Sequence, residues 1–222
     1  DEIIADKDKR LYACKESIYL FSLIYFTNYH HFKAPEFHRE MYRDLEFKGS
    51  TGVIWEAFRE SAKTTLAKIG IIHKIVYGLK HFITWTSFDQ KKAEASLFDI
   101  AIELQTNPKL LADFGQLFFE KTIDKESKKK SIKEFITTNK IKVKAYSVGQ
   151  SPRGEVYSEW RPDFAILDDI ESAKTIISAL KTQQVIQYMD ELLSGLAGYA
   201  NVLVLANRLS DSGSITYLKK RV

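Results

Sequence analysis

Gly52-Val53-Ile54-Trp55-Glu56-Ala57-Phe58-Arg59-Glu60-Ser61-Ala62-Lys63-Thr64-Thr65 is the stretch on which the fold turns. Gly52 to Trp55 reads as a short apolar strand, and Thr64 to Leu79 sets Leu66, Ile69, Ile72, Ile75 and Val76 on one helical face. A strand that passes through a polar loop into a helix gathers backbone N–H groups at the helix N-terminus, where phosphate binds well. Ala57 to Thr64 has the spacing of the Walker A loop, with Lys63 as the mobile cation, Thr64 as the hydroxyl for magnesium, and alanine where both glycines are expected. An alanine at position 62 is tolerated if its backbone keeps a negative φ; a left-handed backbone would cost on the order of 1 kcal/mol. Arg59 is expected to face phosphate, and Glu60 to turn away or pair with a cation. Taken alone, Ala62-Lys63-Thr64-Thr65 is also how an ordinary amphipathic helix begins, so the decision rests on its company.

That company lies downstream. Phe164-Ala165-Ile166-Leu167-Asp168-Asp169 is an apolar strand ending in two carboxylates, the arrangement needed to hold magnesium and orient a water beside a phosphate loop. Asp168 is read as the metal ligand through water, and Asp169 as the group that polarises the nucleophile, with Glu171 as the longer alternative. The competing reading makes Asp169 or Ser172 the cap of a following helix. Val202-Leu203-Val204-Leu205 is a second buried strand, and it ends in Ala206-Asn207-Arg208, which puts Asn207 where the γ-phosphate would be sensed; its ordinary alternative is a turn asparagine.

Further elements complete an α/β pattern. Lys9 to His31 and Glu36 to Phe47 read as helical, separated by Pro35, and form an N-terminal helical region, residues 1–48, ahead of a core at 49–222. Phe82 to Thr86 is a strand, and Lys91 to Leu111 a helix broken near Asn107-Pro108. Glu134 to Thr137 and Ile141 to Val148 make a hairpin, and Ser172 to Leu196 a helix. Continuous apolar strands alternating with helices predict a mostly parallel central sheet flanked by helices, with the ligand at the carboxyl ends of the strands.

Composition sets outer limits. With 222 residues, 45% hydrophobic and 28% charged, the chain can bury a substantial core. A net charge of +4 suits an anionic partner without requiring one. The Lys128-Lys129-Lys130 run within Lys121 to Lys133 reads as a solvated loop, with DNA contact as the alternative. Cys14 is the sole cysteine, so an intramolecular disulfide and a cysteine metal cluster are excluded. The longest apolar stretch, Ile18 to Phe26, is about half what a spanning helix requires, so no membrane association is expected. His30, His31, His38, His73 and His81 show no metal-binding spacing, and Trp55, Trp85 and Trp160 read as strand-associated packing residues.

The ordered set Arg59-Glu60-Ser61-Ala62-Lys63-Thr64-Thr65, Arg153-Gly154 and Arg161-Pro162-Asp163-Phe164-Ala165-Ile166-Leu167-Asp168-Asp169 resembles the ATPase domain of the large terminase subunits of tailed bacteriophages. The resemblance spans about residues 30–215, including Ala34 to Met41, which is similar to the entry segment near the adenine, and Thr86-Ser87 with Gln90. It implies a P-loop ATPase that uses ATP and Mg2+, with Ser61, Ala62, Lys63, Thr64 and Thr65 on the phosphates, Phe37 and His38 near the base, and Thr64 and Asp168 at the metal. It further implies Asp169, Glu171, Arg59, Arg153 and Asn207 as catalytic groups, Arg153 being the best match to a finger that reaches a neighbour's phosphates and Arg161 the reserve.

The implied partners are double-stranded DNA, the portal protein, the small terminase subunit and further copies in a ring, in the cytoplasm of an infected bacterium. Where the family usually has a small-polar pair, Ala206-Asn207 stands. No room remains for the family's nuclease domain, so nuclease activity is not expected of this chain. A helicase-like DNA translocase and a nucleotide- or DNA-binding module without hydrolysis are the competing readings.

Overall fold

The structure, a computed structural model, describes residues 5–30, 34–46, 49–118, 131–150, 152–171, 178–207 and 214–219. The N-terminal region is helical. α1 (Lys7–Glu16) begins at Asp6, whose carboxylate accepts from the amides of Asp8 and Lys9. Ser17 closes it and caps α2 (Ile18–Tyr25), so the helical stretch expected from Lys9 onward is two helices joined at one serine, followed by a 3-10 turn at Thr27–Tyr29. α3 (Glu36–Asp44) starts directly after Pro35, whose fixed φ suits a helix start.

Strands and helices then alternate. β1 (Gly52–Glu56), α4 (Lys63–Val76), β2 (Phe82–Ser87) and α5 (Gln90–Thr106) follow in turn. The break foreseen at Asn107-Pro108 is there: Asn107 ends α5 and caps α6 (Pro108–Phe114). β3 (Glu134–Ile136) and β4 (Lys142–Ser147) are the expected hairpin, turning at Lys140 with φ 64. β5 (Phe164–Asp168), α7 (Ala179–Gly195), β6 (Asn201–Ala206) and α8 (Ser214–Leu218) complete the series. The helix expected from Ser172 is described from Ala179; residues 172–177, and with them the capping role weighed for Ser172, lie outside the described residues, as do Lys128-Lys129-Lys130, His31 and Arg208.

The sheet has six strands in the order β1-β6-β5-β2-β4-β3, parallel throughout except for the β3–β4 pair. The expected mostly parallel sheet flanked by helices is thus the architecture found. Alternation along the strands divides the core into two layers. Phe164 and Ile166 join Ile83, Trp85 and Leu203 in the layer beneath α4, α5 and the N-terminal helices. Ala165 and Leu167 face the other way with Val202 and Val204, against Val185, Met189 and Leu192 of α7. Cys14, Ile18 and Phe21 belong to the first layer, so the N-terminal helices are continuous with the packing of the sheet. Gly70 makes the close approach possible, since a Cβ there would lie 2.6 Å from Leu45 Cδ1.

The N-terminal ends of the central strands are tied by Asp163. Its buried carboxylate accepts from the amides of His81 (2.9 Å) and Phe82 (3.0 Å). Its own N–H donates to Phe82 O, and its carbonyl accepts from Asn201 N. β2, β5 and β6 therefore start from one residue. His81 also stacks on Trp160, with ring centroids 3.7 Å apart, so Trp160 packs in a turn; Trp55 and Trp85 are strand residues, as expected.

Candidate nucleotide site

α4 differs from the other long helices at its start. α5 and α7 are capped by the side chains of Asp89 and Ser178, whereas no side chain caps α4 among the described residues. Its first-turn amides remain available to an anionic ligand. The residue before it, Ala62, has φ 63 and ψ 13, the left-handed conformation whose avoidance would have kept an alanine there free of strain. Glu60 is left-handed as well, with φ 67. The loop thus adopts a glycine-like backbone without glycine, at a cost on the order of 1 kcal/mol per residue.

Lys63 is buried, and its ammonium is directed into the loop. Nζ lies within donating distance of Ala57 O (2.8 Å), Phe58 O (2.9 Å), Ser61 Oγ (3.1 Å) and Asn207 Oδ1 (3.1 Å). Burial lowers its pKa, opposed by the negative charges of Asp169 and Asp168. Ser61 is buried beside it and accepts a hydrogen bond at its carbonyl from His38 Nε2 at 2.9 Å, which ties α3 to the loop. Phe37 stands edge-on to His38 and packs near the ring of Phe58, with centroids 6.0 Å apart.

The acidic strand end meets this loop. Thr64 Oγ1 lies 3.4 Å from both carboxylate oxygens of Asp168, a contact that joins the start of α4 to the end of β5. Asp168 is buried, and burial, with the adjacent charge of Asp169 in second place, pushes its pKa up to about 7. Asp169 follows with φ 48, a left-handed turn that an aspartate tolerates and that takes its exposed side chain off the strand. Its Oδ1 accepts from Asn207 Nδ2 at 3.1 Å, and its carbonyl accepts from Phe88 N at 3.3 Å. Asn207 therefore bridges Lys63 and Asp169 through opposite ends of one amide.

These groups surround a cleft of about 700 Å³ at the carboxyl ends of the strands. Arg59, Ser61, Ala62, Lys63, Thr64 and Thr65 form one wall, and Asp168, Asp169, Glu171 and Asn207 form another. Arg153 is elsewhere: a Cβ on Gly195, in the last turn of α7, would lie 2.9 Å from Arg153 Cα. Arg161 is exposed beside the Asp163 tie. A smaller cavity of about 280 Å³ adjoins the loop, lined by Tyr29, His30, Pro35, His38, Ala62 and Thr65 among others; Phe37 is not one of its lining residues.

Sequence reasoning missed Tyr29 and His30 in that cavity, and Phe88, Asp89 and Lys92 in the main cleft. One signal was readable: Asp89-Gln90-Lys91-Lys92 places two lysines in the first turn of α5, where the helix dipole disfavours cations.

The donor set fits a hard divalent cation. Thr64 and Asp168 offer hydroxyl and carboxylate oxygens, and the described residues contain no group of three or more His, Cys, Asp or Glu side chains able to cage a metal. Magnesium is commonly held in this manner, by one or two protein oxygens with water and substrate phosphates.

No family model and no curated protein matches this sequence. Among solved structures, the chain is similar to the large terminase of bacteriophage HK97, with a TM-score of 0.55 and 16% identity over 86% of this chain. It is also similar to the N-terminal domain of the DNA packaging ATPase of bacteriophage phi29, with a TM-score of 0.46 and 13% identity, covering 85% of this chain and 86% of that one. The chain thus has the α/β fold of the HK97 bacteriophage large terminase, and it spans 36% of that protein's length.

Proposed function

We propose that this chain is the ATPase motor domain of a viral terminase large subunit, which hydrolyses ATP to drive double-stranded DNA into a procapsid. The observation that carries the reading is the approach of Thr64 Oγ1 to Asp168 within a cleft whose floor is the buried Lys63 loop. A phosphate cradle and a metal-binding carboxylate, far apart in sequence, meet at one place.

In this reading, the first-turn amides of α4 with Ser61, Ala62, Lys63, Thr64 and Thr65 bind the phosphates, and Thr64 and Asp168 hold magnesium. When bound, magnesium neutralises charge on the β,γ-phosphate oxygens. Asp169 accepts a hydrogen bond from, and so orients, the attacking water, with Glu171 on the same wall as the alternative. Arg59 stabilises transferring charge in cis. Arg153, which lies off its own chain's cleft, serves a neighbour in a ring, with Arg161 as the second choice. The cavity beside Thr65 takes the base, with His38 fixed there by Ser61 O and Phe37 supporting it from the Phe58 side.

The partners under this proposal are DNA, the portal, the small terminase subunit and further copies of the chain, in the host cytoplasm. No described helix is long and apolar enough to cross a membrane. The test is ATP turnover by the wild type beside Lys63→Ala and Asp169→Asn, each expected to lose at least about a hundredfold. Unchanged turnover in both overturns the assignment. Tight ATP binding without phosphate release, even with portal and DNA supplied, replaces it with a non-hydrolysing nucleotide-binding module.

A further inference from the structure

We infer that Lys92 is a phosphate-binding residue of this cleft, a further cation supplied in cis from the first turn of α5 and directed at the terminal phosphate of a nucleoside triphosphate. The inference rests on the ATPase reading above and deepens it.

Lys92 lines the main cleft together with Arg59 and Lys63. Its situation is the reverse of that of Lys63. The Lys63 ammonium has three protons and four protein acceptors within reach. The exposed ammonium of Lys92 has no hydrogen-bond or ion-pair partner among the described residues. A cation in the first turn of a helix opposes the macrodipole, and Asp89 already satisfies the amide of Lys91 there, so helix stability gives no reason for this lysine. A dianionic γ-phosphate gives one.

The loop is also held to the acidic strand end. Ser87 pairs in register with Asp168, and Phe88 N–H donates to the carbonyl of Asp169. At its other side, Gln90 Nε2 contacts Glu94 Oε1 (3.1 Å) and Ala145 O (3.4 Å), anchoring the start of α5 to β4. Lys92 is thus carried on a helix whose entry is tied to the backbone of Asp169. Lys91 is its internal control, since it shares the turn and the exposure but does not line the cleft.

The experiment titrates ATP and ADP onto the wild type, Lys92→Ala, Lys92→Arg, Lys91→Ala and Lys63→Ala. Lys92→Ala is expected to weaken ATP binding about tenfold and ADP binding by less than about twofold, with Lys92→Arg restoring most of the loss and Lys91→Ala behaving as wild type. Equal ATP affinity in Lys92→Ala and wild type overturns the inference, as does a loss equally large for ADP. Weakened binding of duplex DNA with ATP affinity unchanged also overturns it and assigns Lys92 to DNA. If Lys63→Ala leaves ATP binding intact, the ATPase reading itself fails; if Lys63→Ala abolishes binding while Lys92→Ala does not, only the assignment of Lys92 fails.

Discussion

Asn207 Oδ1 lies 3.1 Å from Lys63 Nζ while the other end of the same amide donates to Asp169, so the ammonium of the loop and the acid that follows β5 are joined through one side chain. A phosphate that draws Lys63 forward must break or lengthen this bridge. Replacing Asn207 with Ala is expected to lower ATP turnover about tenfold or more while the Kd for ATP changes by less than about twofold. Matching losses in affinity and turnover would instead mark Asn207 as a ground-state binding group.

Ala62 occupies a left-handed backbone that glycine adopts without a Cβ penalty. Ala62→Gly is therefore expected to stabilise the chain by about 0.5–1 kcal/mol, with the gain reduced by the greater freedom of glycine in the unfolded state. Urea unfolding reads this directly. A loss of stability would show that the alanine methyl makes contacts worth more than the strain.

Arg10 grips Asp113 by two hydrogen bonds of 2.7 Å, and Tyr25 Oη donates to the same carboxylate at 2.7 Å. The hydrogen bonds from Arg10 hold the Asp113 pKa below its ordinary value. Asp113→Ala leaves a largely buried guanidinium without this partner and should destabilise the fold by about 2–4 kcal/mol. The double variant with Arg10→Met should recover part of that loss; equal stability of the single and double variants would remove the ion pair from the account.

His73 is buried in α4, where Nε2 donates to the carbonyls of Cys14 (3.0 Å) and Lys15 (3.2 Å). Burial, reinforced by the charge of Lys74, depresses its pKa to about 3. The folded chain keeps this imidazole neutral where the unfolded chain protonates it, so the contribution is full above about pH 6.5 and is lost as pH falls toward 3. The slope approaches about 1.4 kcal/mol per pH unit within that window. His73→Gln should flatten this component in unfolding curves taken across the range, and an unchanged slope would contradict it.

The legible part of the sequence was the part governed by short-range pattern. The apolar runs at 164–167 and 202–205 read as buried parallel strands, and Asn107-Pro108 as a break in a helix, and both are found, because those effects are local. Of the candidate site, Lys63, Thr64 and Asp168 could be picked out because the proposed chemistry prescribes their residue types, and the structure brings the three to one cleft. What escaped was positional. Nothing in the spacing says that Asn207 reaches Lys63, since that contact depends on β1 and β5 both neighbouring β6 in the sheet. Tyr29 and His30 were hidden for the same reason, because a turn after α2 comes to lie against α4 only once the helices dock. The left-handed Ala62 shows the loop conformation overriding residue preference.

Asp163 gives the sheet an asymmetry between its two ends. β2, β5 and β6 are joined where they begin by Asp163, whose buried carboxylate holds the start of β2 and whose backbone carbonyl accepts from Asn201 at the start of β6. Five residues further on, β5 ends in Asp168, about 16 Å away at strand rise, with Asp169 next in the chain. The sheet is therefore cross-tied at the end opposite the cleft, by the third residue of Arg161-Pro162-Asp163, while its other end carries the acids that line the cleft.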